Sequence, residues 1–303
     1  MKIGMNLKKD FMIMNPELIK ADDLIFLILD DRRRWLVQVK PGEEFHTHKG
    51  IIEFDDIIGK SFGSCVFSKP YSSQGYKFYV FKPLPSDYIV HMSRKTQIIY
   101  PKDAGLILLY TGIGPGSIVI EAGCGSGALT CILGNYVKPS GHVYSYDVRE
   151  KSLRRASKNI IKAKLQDVVT IQYGDITKDA LPHTQVDSIV LDLATPWEAI
   201  ENNKESLKLS GILASFSPTI EQVKKTTIAL KRNEFYEINT YELIKRKIQV
   251  KENATRPEVR MIGHSGYITF GRKFKDIKNP YREIKPKKKE IINFEGMPLR
   301  SEE

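Results

Sequence analysis

Ile118-Val-Ile-Glu-Ala-Gly-Cys-Gly-Ser-Gly127 reads as an apolar strand running into a glycine-rich turn that opens a helix. Glycines let a backbone pass close to a ligand and reach dihedrals closed to other residues. A dinucleotide fingerprint would read GxGxxG, with the helix N-terminus against a pyrophosphate. Here the spacing is E-x-G-x-G-x-G, and Glu121 at the strand end would repel a diphosphate. A Walker A loop is excluded, because no GK[ST] follows. An acid in that place suits the cationic methionine portion of S-adenosylmethionine, through water or by fixing the loop.

Two acids downstream extend the reading. Asp147 ends the next strand, where a carboxylate can accept from both ribose hydroxyls. Asp175, in Tyr173-Gly-Asp-Ile176, ends the third strand and can accept from the adenine amino group. A dehydrogenase would share Asp147 but has no need of Glu121 and Asp175. Cys124 lies inside the loop with no His or Asn pairing near it in sequence, and reads as a small loop residue rather than a nucleophile.

Outward from the loop, strand-like and helical segments alternate. Strands are expected at His142-Val-Tyr-Ser-Tyr146, Val168-Val-Thr-Ile-Gln172, Ser188-Ile-Val-Leu191 and Gly211-Ile-Leu-Ala-Ser-Phe216. Helices are expected over Asp103–Tyr110 and about 150–163, 197–208 and 219–232. The alternation predicts a doubly wound α/β sheet with its ligand site at the carboxyl ends of the strands. Tyr236–Leu243 and Gly266–Arg272 read as a strand pair without a full helix between them, the usual finish of a class I, Rossmann-like methyltransferase.

Upstream of Pro83-Leu-Pro85 the pattern differs. Leu24–Leu29, Trp35–Val39, Gly50–Phe54, Gly63–Phe67 and Lys77–Phe81 are short and rich in β-branched and aromatic residues. They predict a small barrel-like β domain over 1–85, ahead of a methyltransferase domain over 86–275. From Arg272 to Lys289 nine Lys/Arg face two acids, so 276–303 reads as a basic, solvated tail.

The fourth strand ends in Leu191-Asp-Leu-Ala-Thr-Pro-Trp197. In this topology that strand delivers its last residues to the sulfonium methyl. Adenine N1 already carries a lone pair, so no proton need leave before attack. A carboxylate accepting from the exocyclic N6 would align the base and stabilise the charge that develops on it. Asp192 fits that role; its bland alternative is the N-cap of the helix holding Trp197, which itself reads as packing.

The formal charge of +11 suits a polyanion such as RNA. The lysines are spread along the chain rather than gathered on one amphipathic helix, which argues against a membrane surface. No run of about 18 apolar residues is present, and Met1-Lys-Ile-Gly-Met-Asn lacks an apolar h-region with a small-residue cleavage site, so neither a membrane span nor secretion is expected. Cys65, Cys124 and Cys131 have no CxxC spacing, so a reducing cytoplasm is expected, with no disulfide framework. His46-Thr-His48 and His264 invite a metal reading; on a strand the pair would share a face, and N1 methylation needs no metal, so none is assigned.

Arg94-Lys-Thr-Gln-Ile-Ile-Tyr-Pro-Lys-Asp103, the glycine loop, Leu191–Trp197, Ser215-Phe-Ser-Pro-Thr-Ile-Glu-Gln-Val223 and Gly263-His-Ser-Gly-Tyr267 together resemble the tRNA (adenine-N1)-methyltransferase family. The likeness runs in order from about Tyr88 to Lys273, and Phe45-His-Thr-His-Lys-Gly50 is similar to the archaeal members. It implies a homotetramer that methylates N1 of adenosine 58 in the tRNA T-loop and, in archaeal relatives, adenosine 57. It implies catalysis by Asp192. It implies cofactor contacts at Glu121, Gly123, Gly125, Ser126, Gly127, Ala128, Asp147, Ser152, Asp175, Ile176 and Asp192, with Gln97 and Tyr100 closing from the preceding loop. Phe216 stands where some bacterial relatives have a tyrosine, and the intersubunit cysteines of some thermophilic relatives have no counterpart. Two alternatives stand beside this reading. One is a non-catalytic RNA-binding subunit, which would have lost the glycine loop and the Asp192 acid. The other is a small-molecule or protein methyltransferase on the same fold.

Overall fold

The computed structural model describes residues 16–69, 75–92 and 98–275. Gln97 and the basic tail lie outside these residues. The amino-terminal strands are β1 (Leu24–Ile28), β2 (Arg34–Gln38), β3 (Glu44–Thr47), β4 (Gly50–Glu53), β5 (Cys65–Phe67) and β6 (Lys77–Phe81). Four form an antiparallel sheet in the order β2-β1-β6-β5, and β3 and β4 form a separate hairpin bridged at Ile51 and Lys69. Along β6 the pleat turns Phe78 and Val80 inward, onto Ile25, Leu27, Ile52 and Phe54. Sheet and hairpin thus share one core, which makes the unit barrel-like. β3 was not among the strands expected from the sequence. It holds His46 but not His48, which lies in the hairpin turn beside Arg33 (3.2 Å), so the two do not share a strand face.

The chain then forms α1 (Pro85–His91), α2 (Pro101–Thr111), β7 (Ile118–Ala122), α3 (Ala128–Val137), β8 (His142–Asp147), α4 (Glu150–Lys162), β9 (Val169–Tyr173), β10 (Val186–Leu191), α5 (Pro196–Asn203), β11 (Leu207–Ser217), α6 (Ile220–Arg232), β12 (Phe235–Glu242), β13 (Ile248–Gln249), β14 (Arg256–Pro257) and β15 (Tyr267–Lys273). The helix expected to reach 208 stops at Asn203, and β11 begins at Leu207.

Seven strands make one sheet, ordered β12-β15-β11-β10-β7-β8-β9. All pairings are parallel except those of β15, which runs against both neighbours. Ile107, Leu129, Leu133 and Ile160 cover one face, and Ala199, Ile200 and Leu230 cover the other. Runs such as Val119-Ile120 and Ile189-Val190-Leu191 are apolar throughout because their strands are buried on both faces. From β7 the chain winds outward through β8 and β9, then returns to lay β10 against β7 on its other side. The strand order therefore reverses between β7 and β8 on one hand and β10 on the other, and a crevice opens there at the carboxyl ends. This is the class I methyltransferase sheet.

Candidate functional site

The glycine loop leaves β7 in a conformation only its glycines allow. Gly123, Gly125 and Gly127 have φ of 90°, 55° and 78°. A Cβ on Gly123 would fall 2.1 Å from the carbonyl oxygen of Asp192, so the first glycine admits the end of β10. Gly127 packs tightly on α4, where its Cβ would stand 3.0 Å from the Cα of Ala156. Asn159 of α4 donates to the Ser126 carbonyl (2.8 Å) and pins the same turn.

Around this loop three carboxylates converge. Glu121 is almost fully buried and accepts from Thr130 Oγ1 and Ser145 Oγ, each at 2.5 Å. Burial raises its pKa to about 7; the two hydroxyls oppose the rise, and the charges of Asp192 and Asp147 add to it. Asp147 accepts from the Gly125 amide (3.0 Å) and from the Arg149 backbone and guanidinium (2.9 and 3.1 Å). Burial pushes its pKa up, but the Arg149 and Gly125 hydrogen bonds prevail, so it lies below the ordinary value. Asp192 follows β10, its amide donating to the Ala122 carbonyl (2.9 Å). Burial raises its pKa to about 6, Arg149 pulling down and Asp147 pushing up. Among the described residues none donates a hydrogen bond to its carboxylate. Thr195, not Asp192, is the cap residue of α5, which removes the helix-cap alternative.

A cleft of about 480 Å³ runs along the strand ends, lined among others by Gly123, Asp147, Arg149, Asp175, Ile176 and Asp192. A narrow recess of about 20 Å³ lies under the loop, walled by Ile98, Ile99, Glu121, Gly125, Ser126, Ala128 and Asp192. Asp175 lines the cleft but turns its carboxylate onto Thr177 (2.5 Å) and Lys178 (3.1 Å). Ser152 is buried in the first turn of α4 and Tyr100 is the N-cap of α2; neither lines the cleft or the recess. Trp197 lies outside the cleft with Lys225 over its ring (4.9 Å). Burial holds the Cys124 thiol well above its usual pKa, so it is a poor nucleophile.

Two features escaped sequence reading. Arg149 is one, detectable only as a cation two residues past an acid. The other is a buried polar group: Lys102 Nζ contacts Asp103 Oδ1 (2.7 Å) and Ser265 Oγ (2.5 Å), and Ser265 donates to Asp103 Oδ2 (2.8 Å). It ties the start of α2 to the loop before β15. Next to it His264 bridges Glu242 (2.6 Å) and the Pro218 carbonyl (3.2 Å); both contacts raise its pKa. Among the described residues no group of three or more His, Cys, Asp or Glu gathers as a metal site.

The donor set fits a cationic nucleoside ligand: two desolvated acids carry raised pKa values, a third carboxylate lines the cleft at the end of β8, and Gly123 and Gly127 leave no room for side chains. Comparison with known proteins agrees. Residues 76–258 match the family described as tRNA methyltransferase complex GCD14 subunit, and residues 19–66 match a TrmI-like N-terminal family. The tRNA (adenine(57)-N(1)/adenine(58)-N(1))-methyltransferase TrmI of Methanocaldococcus jannaschii is 37% identical over 272 residues, covering 81% of this chain and 94% of that protein. The crystal structure of tRNA (m1A58) methyltransferase TrmI from Aquifex aeolicus superposes with a TM-score of 0.71 at 28% identity, covering 86% of this chain and 100% of the other. A SAM-dependent O-methyltransferase from Thermotoga maritima gives 0.78 at 32% identity, covering 86% and 97%. The chain belongs to the TrmI family of tRNA (adenine-N1)-methyltransferases.

Proposed function

We propose that this chain transfers the methyl group of S-adenosylmethionine to N1 of adenosine 58 in the tRNA T-loop; adenosine 57, the further target named for the Methanocaldococcus jannaschii relative, is the second position to map. The observation that carries the reading is Asp192, a desolvated carboxylate with no hydrogen-bond donor of its own among the described residues, packed against the glycine loop of a family member.

When bound, the cofactor supplies an electrophilic methyl on a sulfonium centre. Asp147, already ordered by Gly125 and Arg149, retains acceptor capacity for the ribose diol. Asp175, with Ile176 beside it, borders the cleft where an adenine amino group would lie. Glu121 lies beneath the loop, with Ser126 and Ala128 over the recess, and ionises fully once a cationic ligand sits above it. Tyr100 and Ser152, which line neither space, and Gln97, outside the described residues, remain contacts that the family resemblance implies. Asp192 accepts from the exocyclic N6 of the target base, aligns N1 and balances the positive charge that grows on the ring. No residue need abstract a proton before attack, in contrast to methylation of a hydroxyl. The T-loop base must leave its stack, at a cost of about a few kcal/mol.

The domain limits 1–85, 86–275 and 276–303 complete the reading, as does a homotetramer working in the cytoplasm, where Cys65, Cys124 and Cys131 stay unbridged. Self-association is supported by the arm between β12 and β15, which exposes Ile244, Ile248, Val250, Val259 and Ile262. No helix among the described residues is long and apolar enough to cross a membrane. The decisive test is incubation with unmodified tRNA and labelled cofactor, followed by nucleoside mass spectrometry. 1-Methyladenosine in the digest is expected, and its absence overturns the reading; mass mapping of ribonuclease fragments then assigns it to position 58 or 57.

A further inference from the structure

The four cations Lys151, Arg155, Lys158 and Lys162 fall at i, i+4, i+7 and i+11 of α4, so they lie along one side of the helix in a row about 16 Å long. Among the described residues none of the four has an acidic partner. The one acid of the helix, Glu150, is taken by Arg154 (2.6 Å). With Arg154 and Asn159 the four line a shallow groove of about 340 Å³ whose entire lining comes from α4. Like charges one turn apart each cost a helix roughly 0.2–0.5 kcal/mol. A row of four without interleaved acids is therefore a standing penalty that a polyanion would relieve.

The row also has ends. Arg149, one residue before α4, lines the cofactor cleft. Past Lys162 the surface meets a second cleft of about 550 Å³, between the amino-terminal unit and the α3–α4 edge, where Lys138 adds another cation without an acidic partner among the described residues. Basic side chains thus continue from the site of chemistry to the amino-terminal unit, with Arg149 paired to Asp147 at one end and Lys82 and Lys164 paired to Glu17 and Asp23 at the other. The unpaired charge is that of the α4 row and Lys138. α4 is locked to the glycine loop through Asn159 and the close packing of Ala156 on Gly127, so whatever lies on the row is held in fixed register with the cofactor site.

We propose that this side of α4 is the track for the tRNA sugar-phosphate backbone. The proposal rests on the tRNA reading above and adds where the RNA lies. A lipid surface fits poorly: the apolar side of α4 is spent on the core through Ala156 and Ile160, and Ile161 alone among its aliphatics is well exposed. A second copy of the chain would bring like charge against like.

The test is equilibrium binding of an unmodified tRNA transcript to the full chain across a salt series, for wild type and Lys151→Gln/Arg155→Gln/Lys158→Gln/Lys162→Gln. Each lost phosphate contact removes about 0.7–0.9 from the slope of log K against log salt, so a fall of about 3 is expected. Affinity near 0.1 M salt should drop roughly tenfold or more, with cofactor affinity within about twofold. Removing mutual repulsion leaves the melting temperature equal or higher, which keeps the variant interpretable. Lys224→Gln/Lys231→Gln, on the opposite helical layer, should keep the wild-type slope. An unchanged quadruple variant overturns the track, as does an equal loss in the α6 pair. If wild-type protein fails to bind tRNA at all, the functional reading falls and this one with it.

Discussion

The Asp192 carboxylate is disfavoured as an anion by burial, drawn back by Arg149, and opposed again by Asp147, which leaves its pKa at about 6. Its folded-state value lies above the ordinary 3.8, so its contribution to stability is present below the unfolded value and lost as pH rises through 6. That contribution is on the order of 2–3 kcal/mol. Asp192→Asn is therefore expected to melt higher than wild type at pH 8 while losing about 10²–10³ in turnover, with cofactor affinity nearly unchanged. Differential scanning calorimetry beside single-turnover kinetics checks both halves; normal turnover would refute the mechanism. Because the anion is the working form, kcat in the wild type should fall on the acid side of about pH 6, and Asp192→Asn should lack that limb. The acids at 121, 147 and 192 could be read from the sequence because each lies at the end of a buried strand, where this topology places ligands. Asp175 follows the edge strand β9 and turns its carboxylate onto Thr177 and Lys178. Arg149 was hidden, since nothing in a single cation marks it as the partner of Asp147.

At the level of elements, the Lys102–Asp103–Ser265 group joins two stretches that a linear reading treats as separate motifs. Asp103 is fully buried and the Lys102 ammonium nearly so, so removing one partner strands a charge. Lys102→Met is expected to lower stability by about 3–5 kcal/mol, whereas Ser265→Ala, which spares the ion pair, should cost about 1 kcal/mol. Urea titrations of the two variants would show that ordering, and a reversed ordering would show that the hydroxyl rather than the pair holds the elements together. The long elements were legible from period and apolar content. α1 was not, because seven residues give too little periodicity; its only sequence marks are Pro85 in the first turn and Asp87, whose side chain accepts from the Leu84 amide at 2.8 Å. β3 escaped because its exposure alternates over four residues with Phe45 alone among them packed into the core. The basic row on α4 was overlooked because a count of lysines along the chain averages away what one helix face collects.

For the whole molecule, the apolar arm between β12 and β15 carries an expectation about assembly. Ile248→Asp/Val250→Asp places charge where a second copy would bury aliphatic surface, and light scattering should then report a smaller species with its fold intact by circular dichroism. An unchanged mass would place the contacts elsewhere. Glu121 has a further consequence, for the exchange of protons with solvent. A carboxyl poised at about 7 is only partly ionised near neutrality, and a cationic ligand above it would complete the ionisation. Cofactor uptake should therefore release a fraction of a proton, and affinity should rise with pH through that range. Calorimetric titrations in buffers of different ionisation enthalpy would measure it as a heat that changes with the buffer. Glu121→Gln should abolish that dependence, which would make the buried acid a coupling between cellular pH and methyl-donor occupancy.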